Sequence, residues 1–270
     1  MTPIYVNREG KSWYCISIFY AREKWITLIK DIIAFYIYNE ASIDTCLIYI
    51  STFKGEHIRV TFSSDICKFH MMKKEINAHF KLFLKNKPST RINNFPGGTG
   101  IWSYYPNNSL VWNRYEIVLK ETGISQSLTF LFIYLLDEDV SVDNTFSVAL
   151  FLSVKLVKCI NSEKRLEILN WYWDELSKDY KNAIITVVTE MDCANILNAV
   201  DDYWELEFDD NQSIALLNQW IFDVQKILSN YRIEESYMLV LSKICTHLSQ
   251  TPAIINYIIK EWYSTHFNYI

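Results

Sequence analysis

In the run EHIRVTF, residues 56–62, His57 and Arg59 alternate with Ile58 and Val60. If the run is a strand, as its β-branched content predicts, both side chains leave the same face. An imidazole titrates near neutrality and can give or take a proton, while a guanidinium grips a carboxylate or another oxyanion through two parallel hydrogen bonds. The arginine could hold an anion with His57 beside it on the same face. A third candidate, His247, falls in an apolar segment, residues 236–249, that reads as a helix. Taken alone, a histidine there is more often a satisfied core or surface group, and an arginine between Ile58 and Val60 is ordinarily a surface cation.

Other chemistries find no support in the residue pattern. No GxSxG elbow occurs and no Ser/His/Asp set can be assembled by spacing. The segment FPGGTG, residues 95–100, lacks the glycine spacing and following helix of a phosphate-cradling loop and reads as a turn. His70 and His79 do not have the spacing of a metal pair, and the acidic residues fall mostly on helix surfaces, so no carboxylate pair stands out. Cys15, Cys46, Cys67, Cys159, Cys193 and Cys245 form no CxxC motif and lie mostly in apolar runs, as buried thiols do in a reducing compartment. No metal or cofactor is called for.

With 270 residues, half of them apolar, the chain can bury a sizeable core without disulfides. A net charge of −5 with dispersed basic residues argues against a nucleic-acid partner. The N-terminus lacks the basic and apolar regions of a secretory signal, and no apolar run approaches the roughly 18 residues of a membrane span. The expectation is a cytoplasmic protein with no membrane partner. Its aromatic content is compatible with a homodimer that buries surplus apolar surface.

The elements that must position these residues are marked by punctuation. Of six Gly and five Pro, only Pro252 lies beyond Gly123, so residues 124–251 are predicted to be almost wholly helical. Strands and turns belong before that point. WYCISIFY, residues 13–20, reads as a buried strand; residues 25–38 carry apolar side chains at helical spacing; CLIYIST, 46–52, and EHIRVTF, 56–62, read as a hairpin around Phe53, Lys54 and Gly55. Ser64 and Asp65 open a helix running to about Leu84, and a further strand is predicted near 100–105. This order is the split βαβ of a ferredoxin-like βαββαβ sandwich, an α+β fold. Helices are then predicted at about 115–122, 125–137, 143–160, 163–175, 178–190, 212–229, 233–249 and 252–265. The acidic stretch DDYWELEFDD, 201–210, reads as an exposed connection able to receive a basic peptide. The expected domains are an α+β sandwich over 1–114 and a helical part over 115–270 packed on it as one unit.

Several of these segments together resemble a known family. The run IYISTFKGEHIRVTF, 48–62, is similar to a strand ending near an Arg-Tyr pair that turns into His-Leu-Arg-Leu-Arg-Phe. That pattern belongs to the C-terminal elimination domain of class I lantibiotic dehydratases and to the related stand-alone thiopeptide-type bacteriocin biosynthesis proteins. Ser12 to Tyr20 followed by an amphipathic helix looks like that domain's start. Tyr104, Tyr105 and Pro106 look like its Tyr-x-Pro-Glu strand end, and VLSKICTHLSQ, 240–250, looks like its Ser, Leu and His helix segment. The resemblance implies a stand-alone protein that removes glutamate from glutamylated Ser or Thr of a ribosomal precursor peptide, leaving dehydroamino acids. A separate glutamylating subunit would be its partner, and some relatives instead join two dehydroalanines into a pyridine ring. By position it implies His247 and Arg59 as catalytic residues, with His57, Arg114 and Tyr105 binding substrate.

The departures from the pattern are chemical. After Pro106 the chain reads Asn107, Asn108, Ser109, where the family continues through a glutamate into Arg-Tyr-Gly-Gly, and Arg114 could stand in only by a register shift. Thr61 occupies the place of the strand's second arginine, and Gln250, Thr251 and Pro252 replace an Asn-Arg pair. Fewer cations to hold an anionic leaving group imply either a different substrate or a partner subunit that binds the peptide without converting it.

Overall fold

The computed structural model describes residues 5–6, 11–52, 55–90, 105–113, 122–137 and 139–267. They fall into two compact units, one within Met1–Thr129 and Asp137–Ser141, the other within Phe130–Leu136 and Val142–Ile270.

In the first unit, strand β1 (Tyr5–Val6) and strand β2 (Lys11–Phe19) lead into helix α1 (Trp25–Tyr38), strands β3 (Thr45–Ser51) and β4 (His57–Asp65), helix α2 (Phe69–Asn86) and strand β5 (Ser109–Trp112). β4 pairs antiparallel with both β2 and β3, and β1 and β5 pair with β2 along its other edge. β2 and β3 are therefore parallel with β4 inserted between them, the predicted split βαβ, and the fold class is α+β.

Alternation along the strands decides what each sheet face carries. Ile58, Val60 and Phe62 stand opposite Ile18, Ile16 and Tyr14 on one side and Ile50, Ile48 and Cys46 on the other. This apolar face receives α1 and α2. The Phe62 ring lies 5.8 Å from Phe35 of α1 and 6.4 Å from Phe80 of α2. Helix α1 buries Trp25, Leu28, Ile29, Ile32 and Phe35, the stripe its sequence spacing requires. His79 of α2 meets Asp31 of α1 at 2.8 Å, tying the two helices together.

The second unit begins in the later half of helix α3 (Thr122–Leu136). It continues through α4 (Val142–Lys158), α5 (Ser162–Asp174), α6 (Lys178–Thr189), α7 (Cys193–Glu205), α8 (Asn211–Asn230), α9 (Ile233–Leu248) and α10 (Pro252–Phe267). Lacking glycine, and with Pro252 at the start of α10 as its one proline, it sets its other boundaries with side chains. Asn161, Ser177, Asp192 and Asp210 each accept a backbone N–H at the start of α5, α6, α7 and α8. Ser249 ends α9 in the left-handed conformation at φ 58°, and the Gln250 N–H returns to the Cys245 carbonyl at 2.8 Å. Two lysines of α4 close the end of α7: Lys155 Nζ donates to the Leu206 carbonyl at 2.6 Å and Lys158 Nζ to the Trp204 carbonyl.

Three predicted boundaries are corrected. β4 runs through Ser64 and Asp65, so α2 starts at Phe69 after a short 3-10 turn over Ile66–Lys68. Residues 201–205 are the last turn of α7 rather than part of a loop, because Asp192 caps a helix whose apolar stripe the carboxylates obscure. The strand sheet-paired with β2 is Ser109–Trp112, while the predicted strand at 100–105, Tyr105 excepted, and most of the predicted helix at 115–122 lie outside the described residues. Among the described residues no single helix is long and apolar enough to cross a membrane.

Phe62, fully buried between two aromatic rings, sets the cost of disturbing the sandwich. Phe62→Ala is expected to lower unfolding free energy by about 3–5 kcal/mol, read from urea titration. Lys155 supplies a pH test. Burial, helped by neighbouring Lys158, lowers its ammonium from an ordinary 10.5 to about 8. Between those values the unfolded chain holds a proton that the folded chain has released, so this group makes stability rise with pH. The urea midpoint of the native chain, measured relative to Lys155→Met, should increase from pH 8 to pH 10.5; a flat difference would exclude the shift.

Candidate functional site

The second face of the sheet carries the polar groups. His57 stands opposite Phe19 and Ser51, Arg59 opposite Ser17 and Tyr49, and Thr61 opposite Cys15 and Leu47. Directly opposed residues share a face, so this one presents His57, Arg59, Ser17 and Tyr49 together beside a buried cluster of Trp13, Leu47 and Tyr49.

The turn before β4 orients the imidazole. Gly55 sits at φ 114°, where a side chain is disfavoured, and its carbonyl lies 2.8 Å from Nδ1 of His57. A carbonyl oxygen only accepts, so Nδ1 carries the proton and Nε2 is the nitrogen that can take one. His57 is buried, its ring 4.6 Å from that of Phe19.

Two residues along, the half-buried Arg59 guanidinium lies 5.5 Å from the ring centroid of Tyr49. Burial pushes the Tyr49 phenol well above its ordinary range, with Arg59 pulling weakly the other way, so Tyr49 remains a neutral hydrogen-bond donor. Among the described residues Arg59 forms no ion pair with a carboxylate. At the β5 side, Asn113 Nδ2 donates to Ser17 Oγ at 2.8 Å. The face thus combines a cation able to accept an anion, a neutral phenol and an imidazole of defined tautomer.

The remaining predicted residues distribute as follows. Tyr105 is exposed, and its ring lies 4.8 Å from Phe19, which links it to His57. Arg114 lies outside the described residues. His247 belongs to the helical unit, in the last turn of α9, fully buried and 5.8 Å from the Phe132 ring. Thr61, the replacement for the second strand arginine, is also fully buried and contributes no cation. Ser17, Tyr49 and Asn113 escaped the sequence reading as site residues. The available signals were a polar Ser17 in a run of large apolar residues and a Tyr49 alternating with isoleucines.

No known protein-family model matches the sequence, and no curated protein matches it. The fold, however, is similar to that of a solved structure, the pyridine synthase TbtD from thiomuracin biosynthesis. The TM-score is 0.60 with 12% sequence identity, covering 96% of this chain and 99% of that one. The likeness extends over both units and concerns the fold.

Gly55 gives a direct test of how the imidazole is held. Gly55→Ala forces an L side chain into a disfavoured backbone conformation and is expected to cost about 1–2 kcal/mol of stability. It should also shift the His57 Nδ1–H resonance in ¹⁵N-edited NMR spectra. An unchanged resonance would mean that the carbonyl contact does not set the tautomer.

Proposed function

We propose that this chain is a peptide-modifying enzyme that eliminates glutamate from glutamylated Ser or Thr side chains of a ribosomally made precursor, the ester being installed by a separate glutamylating subunit. The observation that carries the proposal is Arg59, a half-buried cation without a carboxylate partner among the described residues, on the same sheet face as an imidazole whose basic nitrogen is defined. The fold likeness to an enzyme of thiomuracin biosynthesis supports the same peptide class.

The reaction needs few parts. A base removes the Cα proton of the modified residue, the electron pair forms the Cα–Cβ double bond, and glutamate departs as a carboxylate. In this proposal Arg59 holds the departing or the recognition carboxylate, and Tyr49 donates to developing negative charge. His57 exchanges the proton, while Tyr105 and Arg114 contact the peptide.

Two other readings each rest on a specific observation. Joining two dehydroalanines into a pyridine ring is favoured by the named activity of the structurally similar protein. A peptide-docking subunit without catalysis is favoured by the neutral, fully buried Thr61 where the related pattern has an arginine.

Mass spectrometry separates the three. The protein is incubated with a glutamylated precursor peptide and, in parallel, with a peptide bearing two dehydroalanines. Loss of glutamic acid from the first establishes elimination; cyclisation of the second establishes ring formation; binding with both peptides unchanged leaves the docking subunit. For elimination, Arg59→Ala and His57→Gln should each slow turnover by about 10²–10⁴-fold. Arg59→Lys should be intermediate, because a point charge replaces a bidentate fork. Full activity in Arg59→Ala would sink the assignment of that residue.

A further inference from the structure

The acidic stretch 201–210 frames a cavity in the helical unit. The cavity measures about 170 Å³ and is walled by the rings of Phe151, Tyr203 and Phe208 and by Leu135, Val148 and Leu206, with Asn144 and Ser147 as its polar members. Phe151 lies 5.7 Å from Tyr203, edge-on, and 5.6 Å from Phe208, so the aromatic wall is mutually supported. An apolar cavity of about 150 Å³ accepts a benzene ring, so the space suits one aromatic or branched aliphatic side chain.

What surrounds the cavity is charged. Past the end of α7, Leu206 and Phe208 line the cavity, while Glu205 at the helix end, Glu207 between the two and Asp209 after them are exposed. The stretch carries six carboxylates. Three cations lie nearby: Lys155 and Lys158 donate to the Leu206 and Trp204 carbonyls, and Arg165 lies over the Trp204 ring. Lys155 alone offsets part of the charge of Glu205 and Glu207, and the six carboxylates outnumber the cations beside them. At the far end, Asp210 accepts from the backbone N–H groups of Gln212 and Ser213 and from the Tyr134 hydroxyl. The wall is thus pinned at both ends before any ligand arrives, which removes most of the ordering cost of binding.

We infer that this cavity is a docking site for a peptide segment in which an aromatic or branched aliphatic residue is flanked by lysine or arginine. The apolar walls take the central side chain, and the exposed carboxylates take its cationic neighbours. An acidic segment would meet like charge across the same rim. The inference stands whether or not the chain performs the chemistry proposed above, because it uses none of the same residues.

The test uses the full-length protein and a fluorescein-labelled heptapeptide, Gly-Lys-Lys-Phe-Lys-Lys-Gly, in an anisotropy titration at low salt. Binding is expected to weaken at least tenfold when the probe's Phe is replaced by Ala or its lysines by Glu, and to weaken as salt is raised. On the protein side, Leu206→Ala, in an exposed part of the wall, and the triple substitution Glu205→Gln, Glu207→Gln, Asp209→Asn should each reproduce that loss while the far-ultraviolet circular dichroism stays native. The inference is overturned if the lysine probe does not bind, if the Ala-substituted probe binds equally well, or if the neutralised rim leaves affinity unchanged.

Discussion

The antiparallel pairing of β2 with β4 is the constraint on which the rest of the α+β unit depends. It runs unbroken from Lys11 opposite Asp65 to Phe19 opposite His57. Because successive side chains alternate, that register decides at once which residues meet α1 and α2 and which form the chemical face. A slip of one residue would turn Phe62 away from Phe35 and Phe80 and send Arg59 into the apolar layer. Burying three isoleucine, valine and aromatic rows against two helices makes such a slip expensive. The stability of the sandwich and the placement of Arg59 and His57 are therefore the same physical fact.

Most of the polar face tolerates burial because its groups are matched, the Thr61 hydroxyl, buried without a hydrogen-bond partner among the described residues, being an exception. Nδ1 of His57 donates to the Gly55 carbonyl, Ser17 accepts from Asn113, and the Tyr49 phenol is held neutral beneath a guanidinium. Neutral donors next to one cation cost far less to desolvate than a second unpaired charge would. The fully buried Thr61 is consistent with that economy, since an arginine there would have to be desolvated beside Leu47 and Cys15. The helical unit solves a related problem differently: Lys155 stays buried by donating to a helix-terminal carbonyl, and its proton is correspondingly easier to lose.

Much of this was legible in the order of residues. The β-branched run at β4, the apolar stripe of α1 and the restriction of glycine and proline to the first half are local signals, and local sterics enforce them. The helix α7 was hidden because Asp201, Asp202 and Glu205 resemble a solvated loop when Tyr203 and Trp204 are not known to face a core. The start of α2 was misplaced because Ser64 is a good helix cap by type, yet in β4 its hydroxyl bonds to Tyr14.

The sequence by itself determined the α+β class, the split βαβ order and the sharing of one strand face by His57 and Arg59, because strand and helix periods follow from backbone geometry alone. Only the tertiary structure decided what lies opposite those residues. Ser17 and Tyr49 are distant from Arg59 along the chain or belong to another strand, and interstrand register, set by which apolar rows can be buried together, brings them to one place. The same holds for the cavity beside Phe151, whose walls come from α3, α4, α7 and the stretch after it; no local pattern records their meeting.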